Sequence, residues 1–197
     1  MTKPGLRERK KAKTLRLIQH EALRLFGSQG YEATTIEQIA DAAEVSPSTF
    51  YRYFPTKEDV VVQDEYDPML VNFFRNQPTD VSPLQAIRST IDAMKPEIAP
   101  YDQERLLGRL KLIMSVPALR ARQYDQSLAT ERMIAQLIAE RYHRKPHELL
   151  VRNFAATVVA SWTTALTVWA EGDGQTDLAK LMDSCVAHLG DGIPLET

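Results

Sequence analysis

Only one cysteine, Cys185, is present among the 197 residues, so no disulfide can form within the chain. Such a chain fits a reducing cytoplasm, and Cys185 is expected to pack on an apolar helix face. Of the four histidines, His143 and His147 are four residues apart, but Pro146 between them spoils the one-face geometry of a metal pair. No Ser/His/Asp set, glycine-rich phosphate loop or cysteine pair is found. The sequence therefore predicts no catalytic residue, no metal site, no cofactor and no enzymatic activity.

Alternation of apolar and polar residues, which marks a half-buried strand, is almost absent, so an all-α fold is expected. Apolar residues recur at helical spacing instead, and prolines and glycines mark the breaks. The first helix is predicted to end near Gly30, with this glycine in the left-handed conformation. A fourth helix is predicted to start near Lys57 and to break or kink at Pro68. Nine helices are predicted in all, and the last five follow breaks near Leu84, Pro100, Pro117, Pro146 and Gly174.

Long uncharged segments are scarce, and the one of note covers residues 153–170. A membrane-spanning helix needs about 20 predominantly apolar residues. This segment has 18 residues, and five of them are threonine or serine. We therefore predict a helix that is buried on two sides, against its own domain and against a partner subunit, and no membrane span.

Charge is divided unevenly along the chain, although the net charge of the whole is only −2. Residues 1–57 carry ten Lys/Arg and six Asp/Glu, a net charge of +4, and residues 58–197 carry 14 and 20, a net charge of −6. A basic arm, with Lys3, Arg7, Arg9, Lys10, Lys11, Lys13 and Arg16, opens the sequence. A basic head attracts a polyanion, and an acidic body limits indiscriminate binding. We predict two domains, residues 1–57 and 58–197.

Residues 34–54 predict two short helices joined by a tight turn. Thr34 can cap the first helix, with Glu37 completing a capping box. Ser46 can cap the second, and Pro47 suits its first position because the missing N–H would be unpaired there anyway.

The second of these helices has one apolar side, formed by Phe50 and Phe54. Its other side carries groups that can hydrogen-bond to phosphates and base edges; they belong to Ser48, Thr49, Tyr51 and Arg52. This arrangement is typical of a helix-turn-helix recognition element. Two amphipathic helices in any small α-protein would give a similar pattern, so the flanking sequence matters.

The flanking sequence adds an ordered series of motifs between Leu15 and Lys57: ALRLF (22–26), GY (30–31), TTI (34–36), IA (39–40), VS (45–46), TFY (49–51), YFP (53–55) and Lys57 itself. In this series the chain resembles the DNA-binding domain of the tetracycline-repressor (TetR) family. Pro47 and Ser48 stand where the family often has Lys-Gly, and Arg52 stands where it often has His. Because these positions lie where bases are read, the departures concern the operator sequence and not the fold.

The resemblance implies a nine-helix architecture, with a three-helix head that contacts DNA and a six-helix C-terminal domain that binds an effector and dimerises. The expected DNA-contacting residues are Thr34, Thr35, Ser46, Pro47, Ser48, Thr49, Tyr51, Arg52, Tyr53 and Lys57. Of these, Tyr51 and Lys57 are expected to contact phosphates, while Thr49 and Arg52 approach base edges. The candidate ligand pocket comprises Phe73, Phe74, Arg109, Met114, Arg120, Tyr124, Trp162 and Trp169. The candidate dimer interface comprises Phe154, Val158, Leu178, Leu181, Met182 and Cys185.

Two features bear on the effector. Residues 112–122 resemble a TetR branch that binds acyl-CoA-like ligands. Positive charge also clusters in the predicted sixth and seventh helices, at Arg105, Arg109, Lys111, Arg120 and Arg122. This cluster is either a site for an anionic effector or an ordinary solvated face.

The sequence therefore predicts a cytoplasmic, homodimeric transcriptional repressor that a small-molecule effector, acyl-CoA-like or hydrophobic, releases from a palindromic double-stranded DNA operator. One alternative is an architectural or assembly protein without an effector, but such a protein is expected to spread positive charge more widely. A transcriptional activator is another alternative. A fragment of an acyl-CoA-binding enzyme would leave the capped helix-turn-helix unexplained.

Overall fold

The computed structural model describes residues 5–63, 66–97 and 100–192. Over these ranges the chain forms ten α-helices and no strand, which confirms the all-α prediction. The helices are α1 (Leu6–Gln29), α2 (Ile36–Ala42), α3 (Pro47–Tyr53), α4 (Lys57–Val62), α5 (Asp67–Arg75), α6 (Pro83–Met94), α7 (Pro100–Ser115), α8 (Pro117–Tyr142), α9 (Leu149–Glu171) and α10 (Leu178–Gly190). A short 3-10 helix, Lys95–Glu97, follows α6.

The predicted number of nine helices is wrong for the described residues, because the predicted fourth helix is two helices. Thr56 caps α4, and the Asp59 carboxylate completes the capping box by accepting from the Thr56 backbone N–H. Pro68 lies in the first turn of α5, where its missing N–H costs no helical hydrogen bond. A proline in that position begins a helix and does not kink one.

Most of the predicted basic arm is helical, because α1 begins at Leu6. Lys10, Lys11 and Lys13 are therefore held on a helix and are exposed, whereas Lys3 lies outside the described residues. At the other end of α1, Gly30 has a φ of +89°, so the predicted left-handed residue is confirmed.

Packing divides the chain into two compact units, and the first contains residues 1–63 together with Leu112–Arg122. Its core includes Ile18 of α1, Ile39 of α2 and Phe50 of α3. Ile113 and Leu119 belong to the same core, so the end of α7 and the start of α8 pack with the head. This segment is the one that resembles the acyl-CoA-binding branch. The functional boundary at residue 57 stays a prediction.

The second unit contains residues 64–111 and 123–197. Its core draws on α5, α6, α8, α9 and α10, with Phe74, Ile87, Ile134, Val158 and Val186 among its buried side chains. An ion pair joins two of these helices, because Arg88 of α6 donates two hydrogen bonds to Asp183 of α10.

Within the chain, α9 is buried on one side only. Its buried residues are Val151, Ala155, Val158, Trp162, Ala165, Trp169 and Ala170, which recur at helical spacing. Among the described helices, α9 alone is long and apolar enough to cross a membrane by length and composition. The buried residues of α9 form one of the two apolar sides that the sequence predicted for this helix. That a partner subunit covers the other side stays a prediction.

Candidate nucleic-acid interface

The start of α2 shows that the predicted cap is displaced by one residue. Thr35, not Thr34, is the N-cap: its hydroxyl accepts from the Gln38 N–H at 3.2 Å, and the Gln38 side-chain oxygen accepts from the Thr35 N–H at 2.9 Å. Thr34 is only 1% exposed, and its hydroxyl donates to the carbonyl oxygen of Gly30. The prediction of a Thr34–Glu37 capping box is therefore wrong, and Thr34 offers DNA almost no surface. Glu37 is exposed in the first turn of α2.

Gln29 was missed by the sequence analysis, although its side chain contacts both Thr34 and the Gln38 side chain that takes part in the cap of α2. Its side-chain amide donates to the Thr34 hydroxyl at 3.1 Å and to the Gln38 side-chain oxygen at 2.8 Å. The end of α1 and the start of α2 are thus tied together by one amide group. No local pattern points to this contact, because the three residues are brought together only by the turn after Gly30.

The turn between α2 and α3 is closed by backbone hydrogen bonds. The Glu44 N–H donates to Asp41, and the Val45 N–H donates to Ala40 at 2.9 Å. Glu44 has a φ of +53°, a left-handed conformation that costs a non-glycine residue about 1–2 kcal/mol. The turn holds this conformation because both flanking helices are anchored in the core.

The predicted cap and anchors of α3 are confirmed. The Ser46 hydroxyl accepts from the Thr49 N–H at 3.1 Å, and Pro47 occupies the first position. Phe50 and Phe54 are fully buried at 0% exposure, with ring centres 5.7 Å apart. These two rings fix the orientation of α3, so that Ser48, Tyr51 and Arg52 are exposed, while Tyr53 packs against the core.

The outer side of α3 presents hydroxyl groups and one cation. Ser46, Pro47, Ser48 and Arg52 are exposed, and Tyr51 is 49% exposed. The Ser46 hydroxyl oxygen lies 2.9 Å from that of Ser48 and 2.9 Å from that of Thr49. A cluster of small hydroxyls on a short, firmly held helix can donate to or accept from base edges and phosphates.

Lys57 at the start of α4 is bound within the head. Its ammonium group donates to the backbone oxygens of Tyr31 at 2.9 Å and of Thr34 at 3.1 Å. It also lies 4.1 Å from the centre of the Tyr31 ring. Two of its three N–H donors are therefore used inside the head, and one is left for a phosphate.

The Tyr31 hydroxyl donates to the Glu58 carboxylate at 2.7 Å, which shifts the pKa of both groups. Burial, and then this hydrogen bond, raises the pKa of Tyr31 above its ordinary value. Burial alone would raise the pKa of Glu58, but the hydrogen bonds from Tyr31, the backbone and Thr56 outweigh it and lower that pKa. Tyr31 thus stays a neutral donor, and Glu58 stays charged near neutral pH.

The residues predicted to line a ligand pocket do not all belong to one packing unit. Met114 and Arg120 belong to the first unit, where the Arg120 guanidinium donates to the Met114 carbonyl oxygen at 2.7 Å. Phe73, Phe74, Arg109, Tyr124, Trp162 and Trp169 belong to the second unit. There, Phe74 and Trp162 share the core, Phe73 packs against it, and Tyr124 is 66% exposed.

The two tryptophans differ in how their indole N–H groups are satisfied. The Trp169 N–H donates to the carbonyl oxygen of Thr176 at 2.9 Å and so closes the turn after α9. Trp162 is 7% exposed, and its N–H has no hydrogen-bond partner among the described residues. Because an unsatisfied buried donor costs about 1–3 kcal/mol, this group marks a place where a ligand or water acceptor would be stabilising.

The basic residues predicted to cluster on the sixth and seventh helices belong to two different packing units, and two of them form ion pairs within their own unit. Lys111 pairs with Asp173 in the second unit, and Arg122 pairs with Asp59 in the first. The Asp59 carboxylate is mostly buried and also completes the cap of α4, so Arg122 links the start of α8 to α4. The sequence analysis missed this contact, since 63 residues separate its partners.

The predicted interface residues lie on α9 and α10. Val158 is fully buried in the core of its own unit, and Phe154 and Met182 pack against that core. Leu178, Leu181 and Cys185 are half-buried. The side of α9 that remains exposed includes Ala160, Thr163, Thr164 and Val168. Both threonine hydroxyls donate to the backbone oxygen four residues earlier, so this side is less polar than its sequence implies.

The fold and the capped helix-turn-helix define a class of helical proteins with a DNA-binding head, and comparison with known proteins agrees. A family model described as the MftR C-terminal domain matches residues 81–194, more than half of the chain. The model of the bacterial regulatory proteins of the tetR family matches residues 18–63. The chain therefore belongs to the tetR family of bacterial regulatory proteins.

Individual relatives give the same assignment. The HTH-type transcriptional regulator TcmR of Streptomyces glaucescens is 37% identical over 145 residues, which are 70% of this chain and 64% of TcmR. The chain thus spans less than two thirds of the length of that relative. MftR of Mycobacterium tuberculosis is 21% identical over 190 residues, 94% of this chain and 93% of MftR.

Among solved structures, the TetR-family repressor FadR of Thermus thermophilus, in complex with lauroyl-CoA, matches with a TM-score of 0.59. The sequence identity is 22%, and the match covers 93% of this chain and 96% of that one. This likeness shows a shared fold.

Proposed function

We propose that this protein is a cytoplasmic, homodimeric transcriptional repressor that binds a palindromic operator through α3 and is released by a small-molecule effector. The observation that supports DNA binding most strongly is that α3 is held against the core by one side while its polar side is exposed. Phe50 and Phe54 bury one side completely, and a row of hydroxyls with Arg52 occupies the other. A short, rigid helix with a polar outer side is what insertion into a major groove requires.

Within α3, we assign base contacts to Ser48 and Thr49 and a phosphate contact to Tyr51. The Ser46 hydroxyl caps α3 by accepting from the backbone N–H of Thr49, and Thr49→Ala keeps this hydrogen bond although it removes the one from the Ser46 hydroxyl to the Thr49 hydroxyl. If the Thr49 hydroxyl reads a base, its loss should cost on the order of 1–3 kcal/mol of discrimination at one operator position. Loss of the Tyr51 side chain should weaken binding to all sequences alike.

The test starts from a random pool of double-stranded DNA, from which the protein selects its own operator. We expect the selected sequences to share a two-fold symmetric motif, with half-sites about 34–36 Å apart or a multiple of that distance. Electrophoretic shifts should then show weaker binding for Tyr51→Ala. Tyr124→Ala is the matched control, because Tyr124 is an exposed tyrosine of the second unit. Failure to select any sequence, or equal affinity of the two variants, would refute the assignment.

The proposed dimer is supported by the exposed side of α9. This side is uncharged from residue 153 to residue 170 and carries threonines whose hydroxyls are satisfied by their own helix. Such a surface loses little hydrogen bonding when it is covered, and it faces no described part of its own core. Two copies of the chain would also supply the two recognition helices that a palindrome needs.

The proposed effector binds in the second unit near Trp162. The unsatisfied N–H and the neighbouring apolar core favour a largely apolar ligand that carries a hydrogen-bond acceptor. FadR of Thermus thermophilus binds lauroyl-CoA in a related fold, which makes acyl-CoA-like compounds the first class to screen. Neutral hydrophobic compounds are the second class. An effector that releases DNA must bind the released state more tightly than the DNA-bound state.

A reporter gene placed behind the selected operator separates repression from activation. Deletion of the regulator should raise expression if the protein is a repressor and lower it if it is an activator. An architectural protein would instead bind without a defined half-site spacing and would respond to no compound in the screen.

A further inference from the structure

A groove lies on the surface of the second unit, between α8 and the start of α9. It consists of two adjoining hollows of about 430 and 380 Å³, and Glu131, His147 and Arg152 line both of them. Arg132 belongs to the first hollow and Leu149 to the second. We call this surface the α8–α9 groove. None of the residues predicted for the effector pocket lines it, so it needs an explanation of its own.

The α8–α9 groove carries more positive than negative charge. Arg132 and Arg152 are exposed, and neither guanidinium group has a hydrogen-bond or ion-pair partner in the described part of the chain. Glu131 supplies a carboxylate to the lining, and His147 adds a further positive charge when its imidazole is protonated. A carboxylate that enters from outside would therefore meet guanidinium donors that the described residues leave unused.

The rim of the groove is apolar. Leu149 lines the second hollow with 84% of its surface exposed, and Leu150 next to it is 63% exposed. Covering two adjacent leucines is favourable, because it removes apolar surface from water. An occupant that suits this place brings both a carboxylate and an apolar side chain.

From the groove, a stripe of α9 that the core does not bury runs to the other end of the helix. Its members recur every three or four positions, which is the spacing of a helix contact surface; they are Leu149, Asn153, Ala156, Ala160, Thr164, Thr167 and Glu171. The spacing is symmetric about Ala160, since each member has a counterpart at the same distance on the other side. Two copies of this helix placed antiparallel would therefore bring every member opposite another member.

The charges at the ends of the stripe favour the same arrangement. Residues 153–170 carry no charge, and the stretch is bounded by Arg152 at one end and Glu171 at the other. Both side chains are exposed, and neither is ion-paired within the described ranges. An antiparallel pair would bring the cation of each copy near the anion of the other. A parallel pair would place like charges side by side, and they would repel each other.

We propose that the α9 helices of two copies pair antiparallel about Ala160, and that the Glu171 carboxylate of each copy enters the α8–α9 groove of the other and binds Arg152. The proposal rests on the homodimer proposed above and defines its register. In this register Glu171 lies opposite Leu149, one turn from Arg152. Val168, which is 50% exposed one turn before Glu171, supplies the apolar side chain for the leucine rim. Two-fold symmetry makes the contact twice in each dimer.

Charge reversal tests the ion pair. Arg152→Glu and Glu171→Arg should each weaken the dimer about ten-fold or more, because each creates two contacts between like charges. The double variant, Arg152→Glu with Glu171→Arg, exchanges the two charges and should restore most of the lost affinity. Sedimentation over a series of concentrations measures the dissociation constant. Lys13→Glu is the matched control, because it reverses an exposed charge in the first unit and should leave the dimer unchanged.

Disulfide cross-linking tests the register. In a Cys185→Ser background, Ala160→Cys lies at the proposed two-fold axis and should give a disulfide-linked dimer under mild oxidation. Leu149→Cys should give none, because 22 residues of helix, about 33 Å, separate the two copies of this position in the antiparallel register. In a parallel pair both variants would cross-link.

The outcomes separate this inference from the proposed dimer. A wild type that sediments as a monomer overturns both. A dimeric wild type whose charge reversals behave like Lys13→Glu, or whose double variant is no tighter than the single ones, overturns the ion pair alone. A cross-link through Leu149→Cys overturns the antiparallel register. Recovery of the dimer in the double variant also shows that the exchanged side chains do not prevent folding.

Discussion

The Lys57 ammonium group donates to the backbone oxygen of Tyr31 at 2.9 Å and lies 4.1 Å from the centre of the Tyr31 ring. This contact fastens the turn between α1 and α2 to the start of α4. The sequence predicted a phosphate contact for Lys57, and the structure shows that two of its three N–H donors are used inside the head.

Replacing Lys57 by Met should therefore destabilise the head even without DNA. The variant keeps the aliphatic stem but loses the two hydrogen bonds and the contact with the ring, which we expect to cost about 1–2 kcal/mol. Native-state amide hydrogen exchange of α1 and α4 measures this as a lower free energy of opening. Lys13→Met is the control and should leave protection unchanged. Equal protection in both variants would show that Lys57 contributes nothing to the head.

Acid should weaken the second unit through Asp183 of α10. Hydrogen bonds from Arg88 lower the pKa of Asp183 in the folded protein, burial opposes them, and the charges of Arg88 and Lys95 lower it further. Because the folded pKa lies below the unfolded value of about 3.9, the pair stabilises the fold above that pH. This stability is lost as the pH falls through the folded pKa.

Arg88→Met should remove this contribution, which is about 0.5–1 kcal/mol for a partly exposed pair. The free energy of unfolding of the variant should lie below that of the wild type at pH 6 and approach it below about pH 4. Arg132→Met is the control, since Arg132 is exposed and has no ion-pair partner among the described residues. A gap between wild type and Arg88→Met that is independent of pH would contradict this origin.

A charge on the exposed side of α9 should dissociate the proposed dimer. Ala160→Glu places a carboxylate in the middle of the uncharged surface, where burial without a partner would cost several kcal/mol. Sedimentation at micromolar concentration should show a dimer for the wild type and the 22.3 kDa monomer for the variant. Ala129→Glu introduces the same charge at an exposed position of α8 and should remain dimeric. A monomeric wild type, or two equally associated variants, would rule out this interface.

An effector that satisfies the Trp162 N–H should change the fluorescence of that residue. The chain has two tryptophans, so Trp169→Phe leaves Trp162 as the sole reporter. Titration with long-chain acyl-CoAs and with neutral hydrophobic dyes and drugs should shift or quench this emission for any compound that also releases the operator. In Trp162→Phe, the remaining Trp169 should not respond. A compound that releases DNA without affecting Trp162 would place the effector site elsewhere.

Local structure was largely predictable because it depends on residues three or four apart. The cap, the first position and the buried side of α3 could be predicted from four residues within a segment of nine: Ser46, Pro47, Phe50 and Phe54. Gly30 ended α1 as expected, because only glycine enters the left-handed region without strain. The cap of α2 was misplaced by one residue, since Thr34 and Thr35 both suit the role and only the buried surroundings of Thr34 decide between them.

The sequence by itself thus determined the all-α class, the helix-turn-helix and the family. Only the tertiary structure decided which distant groups meet: Lys57 with Tyr31, Arg122 with Asp59, and Arg88 with Asp183. It also decided that Trp162 has an unsatisfied N–H whereas Trp169 does not. The reason is physical. Caps and apolar stripes follow from the 3.6-residue period, but the partner of a long polar side chain is chosen by packing between helices that lie far apart in the chain.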